Sequence, residues 1–213
     1  APPWFTEVTA AAGLGDFRHE SGADGRFLMP EIMTTGAALV DVNGDGHLDV
    51  YLAQAGGVDQ PRQERPGNQL FIGDGHGPLP HVSASRGAAD RGYAMGVAPG
   101  DYDHDGDVDL YVSNLERNTL LQNDGSGRFT DVTEVTGTGG SSWSASAAFV
   151  DADADGDLDL FVTSYIYWAI DGEIDCRSPQ GIRTYCSPKS YGAPAPDAYF
   201  ENQGDGTFVD ASE

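Results

Sequence analysis

Acidic residues recur at one fixed spacing in three short segments of the chain. In each segment, oxygen-bearing side chains occupy positions one, three, five and nine, and glycine occupies position six. Ca²⁺ takes six to eight oxygen ligands, and alternate residues of a tightly wound loop can direct their carboxylates to one centre. Position seven is expected to contribute its backbone carbonyl, so its side chain is free to vary. The predicted metal positions are Asp41, Asn43, Asp45, His47 and Asp49; Asp101, Asp103, Asp105, Asp107 and Asp109; and Asp151, Asp153, Asp155, Asp157 and Asp159.

The spacing predicts three Ca²⁺ ions, one for each acidic loop. An EF-hand needs a bidentate Glu at position twelve, and a dockerin-type loop also needs an acid there. Position twelve is Leu52, Val112 or Val162 in these loops, so both classes are excluded. A solvated acidic turn without metal is disfavoured because four close carboxylates repel one another. Asn43 removes one negative ligand, so the first loop is predicted to bind Ca²⁺ most weakly.

The three loops belong to a longer sequence repeat. Each loop follows a short apolar segment and precedes a segment with period-two alternation, the pattern of two β-strands. A second signature follows each loop and contains a Gly-rich turn that suits a β-hairpin. Four antiparallel strands in each repeat are typical of a propeller blade. The first halves align without gaps from Gly36, Gly96 and Ser146, and the second halves from Asn68, Asn118 and Asp197.

We therefore predict an all-β fold, a single β-propeller-type domain over residues 1–213 with three four-stranded blades. The blades are expected at 35–88, 95–138 and 145–213, the last with an insert at 165–196. Residues 3–9 match the end of the second repeat, so they are predicted to be the outer strand of a neighbouring blade. Three blades are fewer than the four of the smallest propellers, which indicates a partial or open propeller. Either the chain is a piece of a longer propeller, or its open blade edges meet a neighbouring molecule.

The charge of the chain excludes one class of partner. The formal net charge is −23, since the sequence has 34 acidic and 11 basic residues. Nucleic acid is therefore not expected as a partner, because its phosphates need a basic surface. No apolar run approaches the roughly 20 residues needed to span a bilayer, so no transmembrane segment is predicted.

The insert contains the two cysteines of the chain, Cys176 and Cys186. Their closeness in sequence suits one small disulfide loop formed in an oxidising compartment, and two free buried thiols are the alternative. The aromatic residues around them suit either a platform for a protein or glycan partner or a cap packed on the blade edges.

A catalytic site is not expected from this sequence. The five histidines are scattered, without the His-x-x-x-His or Glu-x-x-His spacing of metal enzymes. The chain also lacks a Gly-x-Ser-x-Gly elbow and a phosphate-binding loop. A propeller hydrolase or lyase would need a carboxylate pair in a central cleft, which one sequence cannot locate.

These strings resemble a known family, the FG-GAP or VCBS repeats of integrin-like β-propellers, and within it the proteins related to cartilage acidic protein. The likeness is carried by the loops DVNGDGHLDVY, DYDHDGDVDLY and DADADGDLDLF, by the trailing NDGSGRFTDVT and NQGDGTFVDAS, and by the insert with its cysteine pair. The resemblance implies a calcium-stabilised propeller that is secreted or held at the cell surface. It also implies adhesion, recognition or matrix assembly with protein or glycan partners. A structural subunit that polymerises head to tail through its blade edges stays open as the alternative.

Overall fold

A computed structural model describes residues 3–33, 36–140 and 142–212 of the chain. The described residues form an all-β structure with short helical turns in the connections. The strands are β1 (Ala37–Val40), β2 (Asp49–Leu52), β3 (Gln69–Phe71), β4 (Ala94–Gly100), β5 (Asp109–Asn114), β6 (Thr119–Asn123), β7 (Phe129–Asp131), β8 (Ser144–Val150), β9 (Asp159–Ser164), β10 (Ala198–Asn202) and β11 (Phe208–Asp210).

The helical elements are all four residues long or shorter. One is an α-helix, α1 (Thr133–Thr136), and it follows the last strand of the second repeat directly. The others are 3₁₀ turns at Met29–Ile32, Arg62–Glu64, Ser83–Arg86, Ile170–Gly172 and Pro188–Ser190. None of the described helices is long and apolar enough to cross a membrane.

The strands form three antiparallel sheets, one for each repeat. The first sheet has the order β1-β2-β3, the second β4-β5-β6-β7 and the third β8-β9-β10-β11. Each sheet is a meander whose neighbouring strands are also neighbours in sequence. The predicted all-β fold with propeller-type blades in an open arrangement is therefore confirmed. We call the three sheets the first, second and third blades.

The first blade differs from the expected four strands. The segment that corresponds to β7 contains Pro80, which has no N–H to donate to a sheet. Only an isolated bridge between Phe71 and His81 forms there. The Pro80 carbonyl still accepts a hydrogen bond from the Ile72 amide at 3.1 Å, so the segment lies along the sheet edge without becoming a strand.

The predicted strand at residues 3–9 is not formed in the structure. A β-strand needs a sheet edge to satisfy its amides and carbonyls, and the described chain presents none to this segment. Trp4 and Phe5 are 95% and 91% exposed.

The blades stack face to face through apolar side chains. Tyr51 of β2 is fully buried in the cluster between the first and second blades, and Tyr111 of β5 is fully buried between the second and third. Phe161 occupies the same register position in β9 but is 39% exposed, since no described blade lies beyond it. The matched aromatic position predicted from the repeats thus marks the blade-to-blade contact.

A third apolar cluster lies at the strand ends opposite the acidic loops. It includes Met29, Tyr93, Trp143 and Ile166, with Trp168 of the insert packed against it. The insert is largely irregular and carries the predicted disulfide between Cys176 and Cys186.

Two carboxylates, the buried Glu31 and the half-buried Glu173, connect the insert to the segment before β1. Glu173 accepts hydrogen bonds from the Trp168 indole at 2.8 Å and from the Met29 amide at 3.1 Å, and the Tyr185 hydroxyl donates to Glu31 at 2.9 Å. These contacts favour the interpretation of the insert as a cap on the blades.

Candidate metal centre

Each acidic loop connects the first two strands of its blade. Residues 41–48 join β1 to β2, residues 101–108 join β4 to β5, and residues 151–158 join β8 to β9. The ninth-position aspartate is the first residue of the second strand in every case. The three loops therefore lie at the same end of their blades, as the repeat predicts.

The three loops have the same backbone shape. Positions four and six both adopt positive φ. Glycine tolerates this conformation, whereas other residues adopt it at a cost of about 1 kcal/mol or more. Position four is nevertheless His104 in the second loop and Ala154 in the third, with φ of 57° and 64°. The surrounding contacts must hold these residues in place, as strained backbone commonly requires at functional sites.

The ninth-position aspartates fix each loop to its sheet. Asp49, Asp109 and Asp159 are almost completely buried. In each, one carboxylate oxygen accepts the amide of loop position two. The other accepts an amide at the end of the third strand, from Asn123 for Asp109 and Asn202 for Asp159, or from Gly73, two residues beyond β3, for Asp49. The distances are 2.8 and 2.7 Å for Asp49, 3.2 and 2.8 Å for Asp109, and 3.1 and 2.9 Å for Asp159.

The environments of these three carboxylates differ. Burial raises the pKa of Asp109 to about 7, although the amides of Asn123 and Tyr102 oppose the shift. Burial raises the pKa of Asp49 as well. Burial acts in the same direction on Asp159, but hydrogen bonds from the Asn202 amide and the Tyr199 hydroxyl outweigh it and lower the pKa of that carboxyl.

The second loop brings three carboxylates together around one point. Oxygens of Asp101, Asp103 and Asp109 all lie within 4.8 Å of one another. Oδ1 of Asp101 and Oδ1 of Asp103 are buried and have no hydrogen-bond partner among the residues that the structure describes. The other Asp103 oxygen is occupied, because Gln122 donates to it at 2.6 Å. Buried acceptors without a donor are costly, and a cation among them would remove that cost.

The third loop also gathers carboxylates, but at the surface. Oxygens of Asp151, Asp153 and Asp155 lie within 4.8 Å of one another, and all three residues are exposed. The Asp155 amide lowers the pKa of Asp153, but desolvation and then the neighbouring carboxylates of Asp155 and Asp159 outweigh it, so the pKa of Asp153 is raised. This loop can hold a metal ion with solvent completing its coordination.

The first loop satisfies its side chains internally. The Asn43 amide donates to Asp45 at 3.0 Å, and the Asp41 carboxylate accepts the backbone amides of Asn43, Asp45 and Gly46. Its residues do not form one of the three-ligand groups found in the described chain. The structure thus brings together six of the predicted metal positions, three in the second loop and three in the third.

The position-seven side chains point toward the hairpin turns of their own blades. A Cβ placed on Gly75 would lie 2.4 Å from the His47 ring, and one on Gly125 would lie 2.4 Å from Asp107. Asp157 approaches Gly204 in the same way and also contacts His104 of the second loop at 3.1 Å. This geometry suits the prediction that position seven offers its carbonyl rather than its side chain.

Sequence reasoning missed the asparagines that join neighbouring loops. Asn123 donates its side-chain amide to the carbonyls of Val42 and Val108, and so contacts the first and second loops at once. Asn202 repeats the arrangement toward Tyr102 and Leu158. The available signal was their common place in the repeats, immediately before the Gly-rich hairpin turn.

Comparison with known proteins identifies the repeat. A family model described as FG-GAP-like repeat matches residues 41–112 and again residues 105–162. The first match contains the first two acidic loops and the second reaches through the third. No curated protein matches the chain in sequence. Because the two matches together span more than half of the chain, this protein belongs to the FG-GAP-like repeat family.

Proposed function

We propose that the chain is a calcium-binding, non-enzymatic extracellular repeat protein used in adhesion, recognition or matrix assembly. The observation that carries the calcium part is the pair of buried, unpartnered oxygens on Asp101 and Asp103 beside the buried Asp109. Such a site is costly without a cation and becomes favourable with one.

The ligand set favours Ca²⁺ over other metals. Both three-residue groups consist of carboxylates alone, without histidine or cysteine. Hard oxygen donors suit Ca²⁺ or Mg²⁺, whereas Zn²⁺ and copper prefer nitrogen and sulfur ligands. The loops add backbone carbonyls to reach the higher coordination number of Ca²⁺. We assign three ions, with the weakest in the first loop.

The proposed role of the ions is to make the blades rigid. The loop carboxylates belong to the segment between two strands, and Asn123 and Asn202 connect each loop to the next blade. An ion that orders one loop therefore also orders the contact with its neighbour. Rigid blades present a fixed surface to a protein or glycan partner, which is what a recognition module requires.

An extracellular or cell-surface location accompanies this role. The Cys176–Cys186 disulfide is typical of oxidising compartments, and extracellular calcium is abundant enough to fill weak sites. The disulfide-closed insert also favours, within the family, a relationship to the cartilage acidic protein-like proteins. We assign no catalytic residues.

A calcium titration of protein made calcium-free with a chelator tests the proposal. Isothermal titration of the full chain should give three ions, and the melting temperature should rise when calcium is added. Asp103→Asn should remove the second-loop site, whereas the matched control Asp171→Asn, at an exposed position in the insert, should leave all three. Protein that binds no Ca²⁺ and melts identically in EDTA would overturn the proposal.

A further inference from the structure

Residues 5–13 have the local structure that ends a blade, although they belong to none of the three blades. The Ala12 amide donates to the Val8 carbonyl at 2.7 Å, as the Thr136 amide does to Val132 after β7. The turn then ends on Gly13 with φ of 78°. The same turns of the first and second blades end on Gly87 and Gly137, with φ of 71° and 77°.

The side-chain contact before this turn is repeated as well. The Thr9 amide donates to the carboxylate of Glu7 at 2.8 Å. After β7 the Thr133 amide donates to Asp131 at 3.0 Å, and after β11 the Ser212 amide donates to Asp210 at 3.0 Å. The segment therefore reproduces the end of an outer strand in both backbone and side chains.

This turn also sits where the turn of a preceding blade would sit. A Cβ on Gly13 would meet backbone atoms of Leu79 at 3.3 Å, in the outer segment of the first blade. Gly87 approaches Phe129 of the second blade in the same way, and Gly137 approaches Phe208 of the third. The Leu79 amide also donates to the Ala12 carbonyl at 2.9 Å. Residues 8–13 are thus docked on the first blade in the position used at both internal junctions.

What this segment lacks is the rest of a sheet. Phe5 corresponds in the repeat to Phe129 and Phe208, which are 6% and 8% exposed, whereas Phe5 is 91% exposed. The open face of the first blade exposes Leu39 and Leu48 by 67% and 60%. The segment around Phe5 and the exposed face of the first blade could therefore both pack against a further blade, which the described residues do not supply.

The third blade has the complementary face. Phe161 stands at the register position of the buried Tyr51 and Tyr111, and Val150 on the same face is 44% exposed. Its outer strand β11 is only three residues long, and two of them are exposed. The sequence around β11, TFVDAS, has the pattern of the WFTEVT segment at residues 4–9.

We propose that a second copy of this chain docks its third blade on the open face of the first blade. Residues 4–8 of one copy then take the edge position beside β10 of the other, in place of β11. The exchange keeps four strands in the sheet, buries Phe5 where Phe208 lies now, and covers Leu39 and Phe161. Such a head-to-tail contact repeats from copy to copy and leads to an open chain or a closed ring.

The junction between copies is expected to be weaker than the internal ones. Asn123 and Asn202 donate hydrogen bonds to the preceding loop at the internal junctions. Gly73 occupies the equivalent position in the first blade, and Phe161 lacks the hydroxyl with which Tyr51 and Tyr111 bond the next connection. Association should therefore be reversible and dependent on concentration.

Sedimentation equilibrium of the calcium-loaded full chain, from about 1 µM to about 1 mM, tests the proposal. The average mass of the wild type should rise with concentration, and Phe5→Ser should weaken association at least about tenfold. Because Phe5 is exposed in the single chain, this variant should fold normally. The control Val135→Ser changes a residue that is 78% exposed but outside both faces, so it should associate like the wild type.

Hydrogen exchange locates the contact. The amides of residues 5–8 should gain protection at high concentration while those of β11 lose it. A monomeric mass throughout the range, or equal association of Phe5→Ser and wild type, would overturn the proposal. Calcium binding is measured separately on Phe5→Ser, which should still bind three ions, so failure of the calcium assignment is distinguishable from failure of this one.

Discussion

The side-chain amide of Asn123 donates a 2.8 Å hydrogen bond to the carbonyl of Val42, which lies in the acidic loop of the preceding blade. The backbone amide of Asn123 donates to Asp109 of its own loop at 2.8 Å. One residue therefore connects two candidate calcium sites across a blade junction. Because both bonds are buried, ordering of one loop should favour ordering of the other.

Replacement of Asn123 by Ala tests this connection. The change leaves the Val42 and Val108 carbonyls without their buried donor, so we expect a loss of about 1–3 kcal/mol in the free energy of unfolding. Calcium affinity of the first loop should fall along with stability. Urea denaturation and calcium titration measure the two effects. Gln180→Ala, at an exposed position in the insert, is the control and should change neither.

The first loop offers a test of ligand charge. Asn43→Asp supplies the missing carboxylate and removes the amide that now donates to Asp45. The added charge should raise the calcium affinity of this loop, while calcium-free protein should become slightly less stable because three carboxylates then repel one another. Titration calorimetry should show the weakest of the three sites moving toward the other two. An unchanged binding isotherm would contradict the assignment of that weak site to the first loop.

The extent to which sequence predicted the structure depends on the range of the interactions. The spacing of Asp101, Asp103 and Asp109 predicted a shared centre, because a tight loop is a local structure. The role of Asn123 depends on a contact with Val42, 81 residues away along the chain, which no local pattern contains. Residues 4–8 carry the correct strand pattern but form no strand, since strand formation requires a partner edge.

Pro80 shows a second limit of predicting strands from the sequence repeat. The repeat alignment predicts a fourth strand in the first blade, and the surrounding residues fit it. Proline removes one amide from the ladder, and the segment remains a single bridge at the sheet edge. The rule that proline cannot donate to a sheet was therefore enough to correct a prediction made from the repeat alignment.

The insert disulfide should be important for local rather than global stability. Its two cysteines, Cys176 and Cys186, are separated by 10 positions in the sequence, and crosslinks of this length contribute about 2–3 kcal/mol in the chain-entropy model. Reduction should therefore increase hydrogen exchange in the insert. The candidate calcium sites lie at the opposite end of the blades, so we expect calcium stoichiometry to be unchanged by reduction. Exchange mass spectrometry with and without reductant measures the first effect, and titration of reduced protein checks the second.

The pH dependence of calcium-free protein follows from the buried Asp109. Burial raises the pKa of this carboxyl to about 7, whereas aspartate in an unfolded chain has a pKa of about 3.9. Between these values the native state holds a proton that the unfolded state has released, so the free energy of unfolding falls as pH rises through this window. The raised pKa of Asp49 acts in the same direction, and the lowered pKa of Asp159 acts in the opposite one.

Calcium should reverse this trend. The ion requires the deprotonated carboxylate, so apparent affinity should increase with pH up to about 7 and then level off. Urea denaturation at pH 5 and pH 8 tests both statements. Calcium-free protein should be more stable at pH 5 than at pH 8, and the stabilisation by added calcium should be larger at pH 8. Calcium-free protein that gains stability between pH 5 and pH 8 would show that Asp109 is already ionised without metal. In that case the carboxylates of the second loop would be stabilised by the protein alone, and the argument for a cation there would lose its main support.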